Sequence, residues 1–441
     1  MPKRRVLVLC YFFPPLAGGG VHRVLSFVRH LPENGWDCTV VCAGEGDYWV
    51  VDESLAARIP RETEVIRVAG GSALSALLRV TRAAPGRRSG RGFGPLRRLS
   101  DWWLLPDSYI GWAKRAAAAA GRRIARGGID VVLSSSPPDS VHVAARAIQR
   151  RHALPWVADF RDPWIGLTFR SPPSAWHRAR QEALERDVLE HADRVIVASR
   201  AHERALREGT RVRIEAARIE HLPNGFEAGP AAGPTHSRAP ESAPAVPSEA
   251  APRFLIAYTG TMSQMPDTDV FLEALHEVLK RQPAARRSLR ARLAGPYESW
   301  YADRAVALGL TPGIVEFPGP LSHGESRALQ RAADLLVLWK PRGIPTMVPG
   351  KLYEYLDSGR PILAVLEAEE EAAALAGRGG AVITPPGNRE ALSAEIERRW
   401  RAWQSGGREA DTRRDWLDEY RRDRQSARLA QALARVVEAR R

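Results

Sequence analysis

The chain is poor in cysteine, in lysine and in long apolar runs, and each shortage excludes something. Three cysteines, Cys10, Cys38 and Cys42, are odd in number and fall in predicted strands, which suits buried thiols in a reducing cytosol rather than a disulfide framework. Cys38 and Cys42 alone are too few for a structural zinc site, which wants four ligands, and no metal is expected. No segment offers roughly 18 consecutive apolar residues, so no membrane-spanning helix is expected. The N-terminal MPKRRVLVLCYFFPPLAGGG is basic and then apolar, as a signal peptide is. It runs on into an amphipathic helix without a small-x-small cleavage site, and it reads as a first strand, with a signal peptide as the alternative. The scarcity of lysine means that the net charge of +14 is carried almost entirely by arginine. A basic surface favours nucleotides, nucleic acids or anionic lipid headgroups, although genomic base composition would enrich arginine equally. Recognition modules and aromatic platforms for nucleic acid are missing, so no nucleic-acid partner is expected.

What is present is an alternation. The chain has 441 residues, enough for about two or three domains. Strand candidates are Val6–Phe12, Cys38–Ala43, Val65–Val68, Asp130–Ser134, Trp156–Phe160 and Arg194–Ala198, then Phe254–Thr259, Ala291–Ala294, Ile314–Phe317, Leu335–Trp339, Ile362–Leu366 and Ala381–Thr384. Most are continuous apolar runs, the pattern of parallel strands covered on both faces. Between them lie helical stripes such as Val21, Val24, Leu25, Val28 and Leu31. Strand–helix alternation predicts an α/β protein of doubly wound parallel sheets. Residues 229–252 are rich in Pro, Ala, Ser and Gly with almost no large apolar side chain, and read as a flexible linker. The expected division is a first sheet domain over 1–228, the linker, a second sheet domain over 253–410, and a C-terminal helical segment over 411–441 that crosses back to the first domain. Residues 86–107, GRRSGRGFGPLRRLSDWWLLPD, interrupt the first domain. They read either as a solvated loop leading to a core helix or, from the arginines before Trp102-Trp103-Leu104-Leu105, as a membrane-surface element.

Chemistry-bearing residues cluster after the strands. The first strand ends in Pro14-Pro15-Leu16-Ala17-Gly18-Gly19-Gly20 and a helix follows. Glycines let backbone amides approach a ligand, and a helix N-terminus offers unpaired N–H groups, so Gly19 and Gly20 are candidates for a phosphate or sugar cradle. The spacing is not the dinucleotide fingerprint. His22 lies two residues beyond and is better placed than His142, which sits inside a helix pattern. ADFRDPW (158–164) follows another strand and supplies Asp159, Arg161 and Asp162, able to orient hydroxyls and accept a proton, or else to form an ion pair that holds the loop. In the second half YTGTM (258–262) repeats the strand-then-glycine pattern with Gly260 and Thr261. Lys340 and Arg342 follow a strand, and VPGKLYEYLDSGRPIL (348–363) opens a short helix with Gly350, Lys351 and Leu352. These cations suit a diphosphate. Glu354, off the apolar face of Leu352, Tyr355 and Leu356, can accept two hydroxyl hydrogen bonds from a ribose.

These segments, in this order, resemble the family-4 type of GT-B glycosyltransferases: the Gly18–Gly20 turn, SSSPPDSVH (134–142), ADFRDPW, LPNGFE (222–227), YTGT, FPGPLS (317–322), PGKLYEYLDSGRPIL and YRRDRQSARLAQAL. The resemblance implies two Rossmann-like domains facing across a cleft, a nucleotide-sugar donor on the second and an acceptor on the first, and transfer with retention that needs neither cofactor nor metal. It places the donor ribose on Glu354, the diphosphate or sugar on Gly350, Lys351, Leu352 and Gly19, and the base on the backbone of Pro318 to Leu321, with Pro320 and Leu321 among the contacts. The chain departs from the family pattern in three places. Thr346 stands eight positions before Glu354, where the family often has a glutamate seven residues clear of it. TGTMSQMPDTD lacks the familiar Arg and Lys, leaving Lys340, Arg342 and Lys351 for the phosphates. Arg161 occupies a position where many relatives carry histidine. The expected function is transfer of a sugar from a nucleoside diphosphate, UDP favoured, to an acceptor hydroxyl of a small natural product, glycan or lipid carrier. The alternative is a catalytically lapsed sugar-nucleotide-binding partner protein of the same fold. The expected location is the cytoplasm, with a peripheral contact at the inner face of the membrane.

Overall fold

The computed structural model describes residues 3–16, 18–44, 51–70, 102–165, 172–208, 214–228, 253–262, 265–407 and 415–440. The expected linker and residues 86–101 of the basic segment lie outside them. Two compact units are present, Met1–Gly225 with Tyr420–Arg441, and Phe226–Glu419.

The first unit contains β1 (Arg4–Cys10), β2 (Trp36–Ala43), β3 (Glu64–Val68), β4 (Val131–Ser136), β5 (Trp156–Phe160), β6 (Arg194–Val197) and β7 (Ile219–His221). They form one sheet in the order β3-β2-β1-β4-β5-β6-β7, every pair parallel. The apolar run of β1 serves two cores by alternation, since successive side chains point to opposite faces. Leu7 and Leu9 pack with Trp112, Ala116, Val141 and Ile148. Val6, Val8 and Cys10 pack with Val24, Phe27 and Val28 of the Gly19–His30 helix and with Leu429, Leu433, Val436 and Val437. Those last four belong to the Arg422–Glu438 helix, so the C-terminal helix is part of this unit. Ser426 Oγ donates to Ser26 O at 3.3 Å and Arg422 Nε to Gly225 O at 3.0 Å, fastening it. All three cysteines are free and buried, and burial pushes the Cys38 and Cys42 thiols up to about 12.

The second unit contains β8 (Phe254–Thr259), β9 (Leu289–Ala294), β10 (Val315–Gly319), β11 (Leu335–Trp339), β12 (Ile362–Val365) and β13 (Val382–Thr384), in the order β10-β9-β8-β11-β12-β13, again all parallel. Two doubly wound parallel sheets are therefore present, as the apolar runs predict. In each sheet the strand order reverses once, between β1 and β4 and between β8 and β11. Open α/β sheets bind ligands beyond the carboxyl ends of the strands at such a reversal. Among the described residues no helix is long and apolar enough to cross a membrane, and no group of three or more His, Cys, Asp or Glu could hold a metal ion.

Candidate functional site

At the reversal in the first sheet the candidate residues come together, bonded to their own chain. Asp159, the fourth residue of β5, is fully buried and forms a two-point pair with Arg23, Nη2 to Oδ1 at 2.8 Å and Nε to Oδ2 at 3.1 Å. Ser135 Oγ donates to Oδ2 at 2.7 Å. Burial alone would raise the Asp159 carboxyl, but the charge and hydrogen bonds of Arg23, with Ser135, hold it below its ordinary value. Arg23 also donates to Leu222 O at 2.9 Å and Pro223 O at 3.0 Å, so the pair ties β5 to the loop after β7. An ion pair that holds a loop is thus present, but Asp159 makes it with Arg23 and not with its neighbour Arg161. Arg23 was not a sequence candidate. Its signal is a charged residue set inside the stripe Val21, Val24, Leu25.

Arg161 joins the loops that follow β1 and β4. Its guanidinium donates to Gly20 O, to Ser136 O at 2.5 Å and to Pro137 O at 2.8 Å. A Cβ on Gly20 would lie 2.2 Å from Arg161 Nη1, so a side chain at 20 would displace this guanidinium. Gly19 opens the helix, and Gly18 before it has φ 124°, a conformation suited to glycine. Asp162 is half-buried and adds its charge to Arg161. The carbonyl of His22 accepts from Arg422 at 3.5 Å. His142 is buried, with Nδ1 2.8 Å from Ser134 Oγ, and burial lowers it to about 3, so it stays neutral.

The reversal in the second sheet is built differently. The Gly350–Asp357 helix starts after Pro349, whose side chain makes no capping hydrogen bond to its first amides. It ends where Gly359 adopts φ 71°, the left-handed turn that its sequence predicts. Lys351 Nζ donates to Tyr258 Oη and lies 3.7 Å from the centre of that ring. Tyr258 in turn donates to Thr261 O at 2.8 Å and stacks on Trp339, with ring centres 4.2 Å apart. A Cβ on Gly260 would stand 3.0 Å from Lys351 Nζ, and Gly260 has φ 137°. Among the described residues no carboxylate pairs with Lys351. Burial lowers it to about 7.

The other two cations differ. Lys340 is buried, pairs with Glu370 at 2.9 Å and donates to Ile344 O. Arg342 binds Asp267 through both ends of its fork, at 3.0 and 2.5 Å. Both already meet a carboxylate, so the expected threefold phosphate cluster reduces to Lys351 as the cation without one. Glu354 is half-buried, with Gln330 Nε2 3.3 Å from Oε2 and His323 Nε2 3.5 Å from Oε1. His323 lies two residues past Leu321, so the loop after β10 and Glu354 are brought together. Pro320 in that loop is exposed and Leu321 half-buried. Leu352 is fully buried, which leaves only its backbone for a ligand, and Thr346 is half-buried in the loop before the helix. Gln330 and His323 escaped sequence reasoning, because nothing local marks a helix that packs across another.

Comparison with known proteins accords with this geometry. Residues 18–225 match the family model described as glycosyl transferase 4-like domain. No curated protein matches the chain in sequence. Among solved structures, a glycosyltransferase from Rickettsia africae aligns over 99% of this chain and 100% of its own, with TM-score 0.61 and 12% identity. A UDP-forming alpha,alpha-trehalose-phosphate synthase from Burkholderia xenovorans, solved with glucose-6-phosphate, aligns over 98% and 100%, with TM-score 0.57 and 14% identity. The N-terminal domain of a Candida albicans trehalose-6-phosphate phosphatase aligns over 98% and 97%, with TM-score 0.59 and 13% identity. Identities this low speak to fold and not to chemistry. The chain has the two-domain GT-B fold, and within it residues 18–225 are similar to the glycosyl transferase 4-like domain.

Proposed function

We propose that the protein is a glycosyltransferase that moves a sugar from a nucleoside-diphosphate donor, UDP-linked by preference, to an acceptor hydroxyl with retention of configuration. The observation that carries this reading is Lys351, half-buried and with no carboxylate partner among the described residues, at a helix N-terminus without an N-cap side-chain bond at the reversal of the second sheet. A diphosphate supplies the missing counter-charge. As the glycosidic bond to the donor breaks, negative charge builds on the leaving diphosphate, and fixed donors there stabilise it. Glu354, one turn further along, accepts hydroxyl hydrogen bonds from the ribose, with Gln330 and His323 orienting the carboxylate. The acceptor, a glycan, small natural product or lipid carrier, belongs with the first unit, where Asp162 and Arg161 position it. The domain match over 18–225 supports transfer chemistry in general.

The test is a thermal-shift screen against UDP-, GDP-, dTDP- and ADP-sugars, followed by measurement of nucleoside diphosphate release. Stabilisation by one class of nucleotide that disappears in Lys351→Met is the expected result; no stabilisation by any of them defeats the reading. A second reading, a lapsed donor-binding partner protein, draws on the neutral Thr346 and on Lys340 and Arg342 being paired with Glu370 and Asp267. It predicts nucleotide binding without release of nucleoside diphosphate across an acceptor panel.

A further inference from the structure

Large apolar side chains that stay exposed are few among the described residues: Val51, Trp102, Trp103, Trp176, Trp300 and Val306. Three of them are indoles of the first unit, two of which, Trp102 and Trp176, meet one buried histidine, with Trp103 next to Trp102 in the chain. His177 meets the Trp102 ring edge to face at 5.0 Å and the Trp176 ring at 4.9 Å. Its Nε2 lies 3.2 Å from Trp102 O, so that nitrogen carries the proton and donates, and Nδ1 accepts from Ser174 Oγ at 2.7 Å. One turn along, Gln181 Nε2 donates to Pro106 O at 2.6 Å while its Oε1 accepts from Trp164 Nε1 at 2.7 Å. The 102–106 segment is therefore fastened at both ends to the Ala175–His191 helix. The fastening holds the indoles outward: Trp102, Trp103 and Trp176 are 52%, 81% and 65% exposed.

The exposed charge beside this platform is arginine: Asp107 is buried and Glu182 half-buried, and in the sequence Asp101 precedes Trp102. The first turn of the Ala175–His191 helix carries no acid, although helix N-termini favour acids. Arg178 and Arg180 are exposed on it. The sequence sets Arg97 and Arg98 shortly before Trp102. Indoles rest at the headgroup level of a bilayer, where the ring is apolar and its N–H finds a partner. Arginines beside them meet phosphates, and anionic leaflets attract such clusters.

We propose that Trp102, Trp103 and Trp176, with Arg178 and Arg180, form a docking surface for an anionic lipid bilayer. A second copy of the chain is disfavoured as occupant, because it presents the same arginines on a molecule of net charge +14. A neutral glycan is disfavoured because the first turn offers no carboxylate to accept its hydroxyls.

The experiment is co-sedimentation of the full chain with vesicles of phosphatidylcholine alone and of phosphatidylcholine mixed with phosphatidylglycerol, at low and high salt. Binding to the mixed vesicles that weakens with salt is expected. Trp103→Ala combined with Trp176→Ala lowers the partition coefficient by at least about tenfold, and Arg178→Gln or Arg180→Gln lowers it by about fivefold each. The melting temperature and nucleotide response of these variants stay at wild-type values, which shows that they fold. Absence of vesicle binding, equal binding to both compositions, or unchanged binding by the double tryptophan variant overturns the proposal. So does a dimer in light scattering that the tryptophan variant dissociates, or a soluble glycan that quenches the exposed indoles while vesicles do not bind.

Discussion

The two sheets share one wiring and place a cation at the same topological point, yet treat it oppositely. Where β1 meets β4, the Arg161 guanidinium is bonded to three backbone carbonyls and Arg23 to a buried carboxylate. Where β8 meets β11, Lys351 rests on a phenol and meets no acid among the described residues. A buried charge matched by its own chain is part of the fold. One left unmatched costs stability, and such a cost marks a ligand site more reliably than charge does by itself. The first region is held rigid by its charges, and the second holds one ready for a partner of opposite sign.

The largest effect follows from removing a matched charge. Asp159→Asn leaves Arg23 buried without its counter-ion and lowers the stability of the first unit by about 3–5 kcal/mol, read from urea unfolding. The sign with pH is fixed by the lowered carboxyl. Its stabilisation is complete above the unfolded-state value near ~4 and is lost as pH falls through the lower folded-state value. The wild type therefore loses stability on acidification more steeply than the variant. A variant as stable as the wild type would break the contrast at its first term.

Removing the unmatched charge has the opposite consequence for the fold and a large one for the ligand. Lys351→Met lowers affinity for a nucleotide sugar by roughly tenfold to a hundredfold, the range for a hydrogen bond to a charged group. It also raises the melting temperature by about 2–4 °C for each kcal/mol recovered. The folded-state value of Lys351 is depressed to about 7, so its penalty is fully present below pH 7 and is relieved as pH rises from 7 toward the unfolded-state value. The wild type gains stability over that window and the variant does not. A diphosphate esterified at both ends does not titrate near neutrality, so donor affinity falls as pH rises through 7, and calorimetry in buffers of different ionisation heat reads proton uptake on binding. Equal affinity at pH 6 and pH 9 would sink this assignment.

Smaller again is Glu354→Ala. Loss of the ribose hydrogen bonds weakens nucleotide binding by about tenfold, and a 2′,3′-dideoxy nucleotide binds wild type and variant alike. If the variant loses as much affinity for the dideoxy nucleotide as for the ribonucleotide, Glu354 acts through the packing of its helix and not on the sugar.

Much of this was legible in the sequence wherever one residue type repeated along one element. Trp156–Phe160, Phe254–Thr259 and Leu335–Trp339 coincide with the expected strands because each is an apolar run stopped by a charge, a glycine or a lysine. β1 begins two residues earlier than its apolar run suggests and ends two earlier, since Arg4 and Arg5 pair with Trp36 and Asp37 in register and the last paired residue is Cys10, with Ser135. β7 was missed because Ile219, Glu220 and His221 make an edge strand too short to show a pattern. The site was legible as a set of residue types and not as partnerships. Lys340, Arg342 and Lys351 look alike in the chain. Which of them meets an acid depends on Glu370 and Asp267, which lie on other elements.

The smallest effect sharpens that last distinction. Arg342 is 43% exposed on its side chain and binds Asp267, which is buried. Replacing it by Gln removes the ion pair, but Asp267 keeps the Gly387 N–H at 2.9 Å and its place in the first turn of the Asp267–Arg281 helix, where negative charge is favoured. The loss of stability is therefore about 1–3 kcal/mol, that of a buried group left short of one partner, and less than at Asp159, where both members of the pair are buried. Affinity for the nucleotide sugar stays within about twofold of wild type, because a guanidinium already bound at both ends offers little to a phosphate. Isothermal titration of Arg342→Gln beside Lys351→Met decides the matter. A loss in the arginine variant as great as in the lysine variant would mean that Arg342 leaves Asp267 when donor binds, and that a matched charge in the second unit is a ligand group after all.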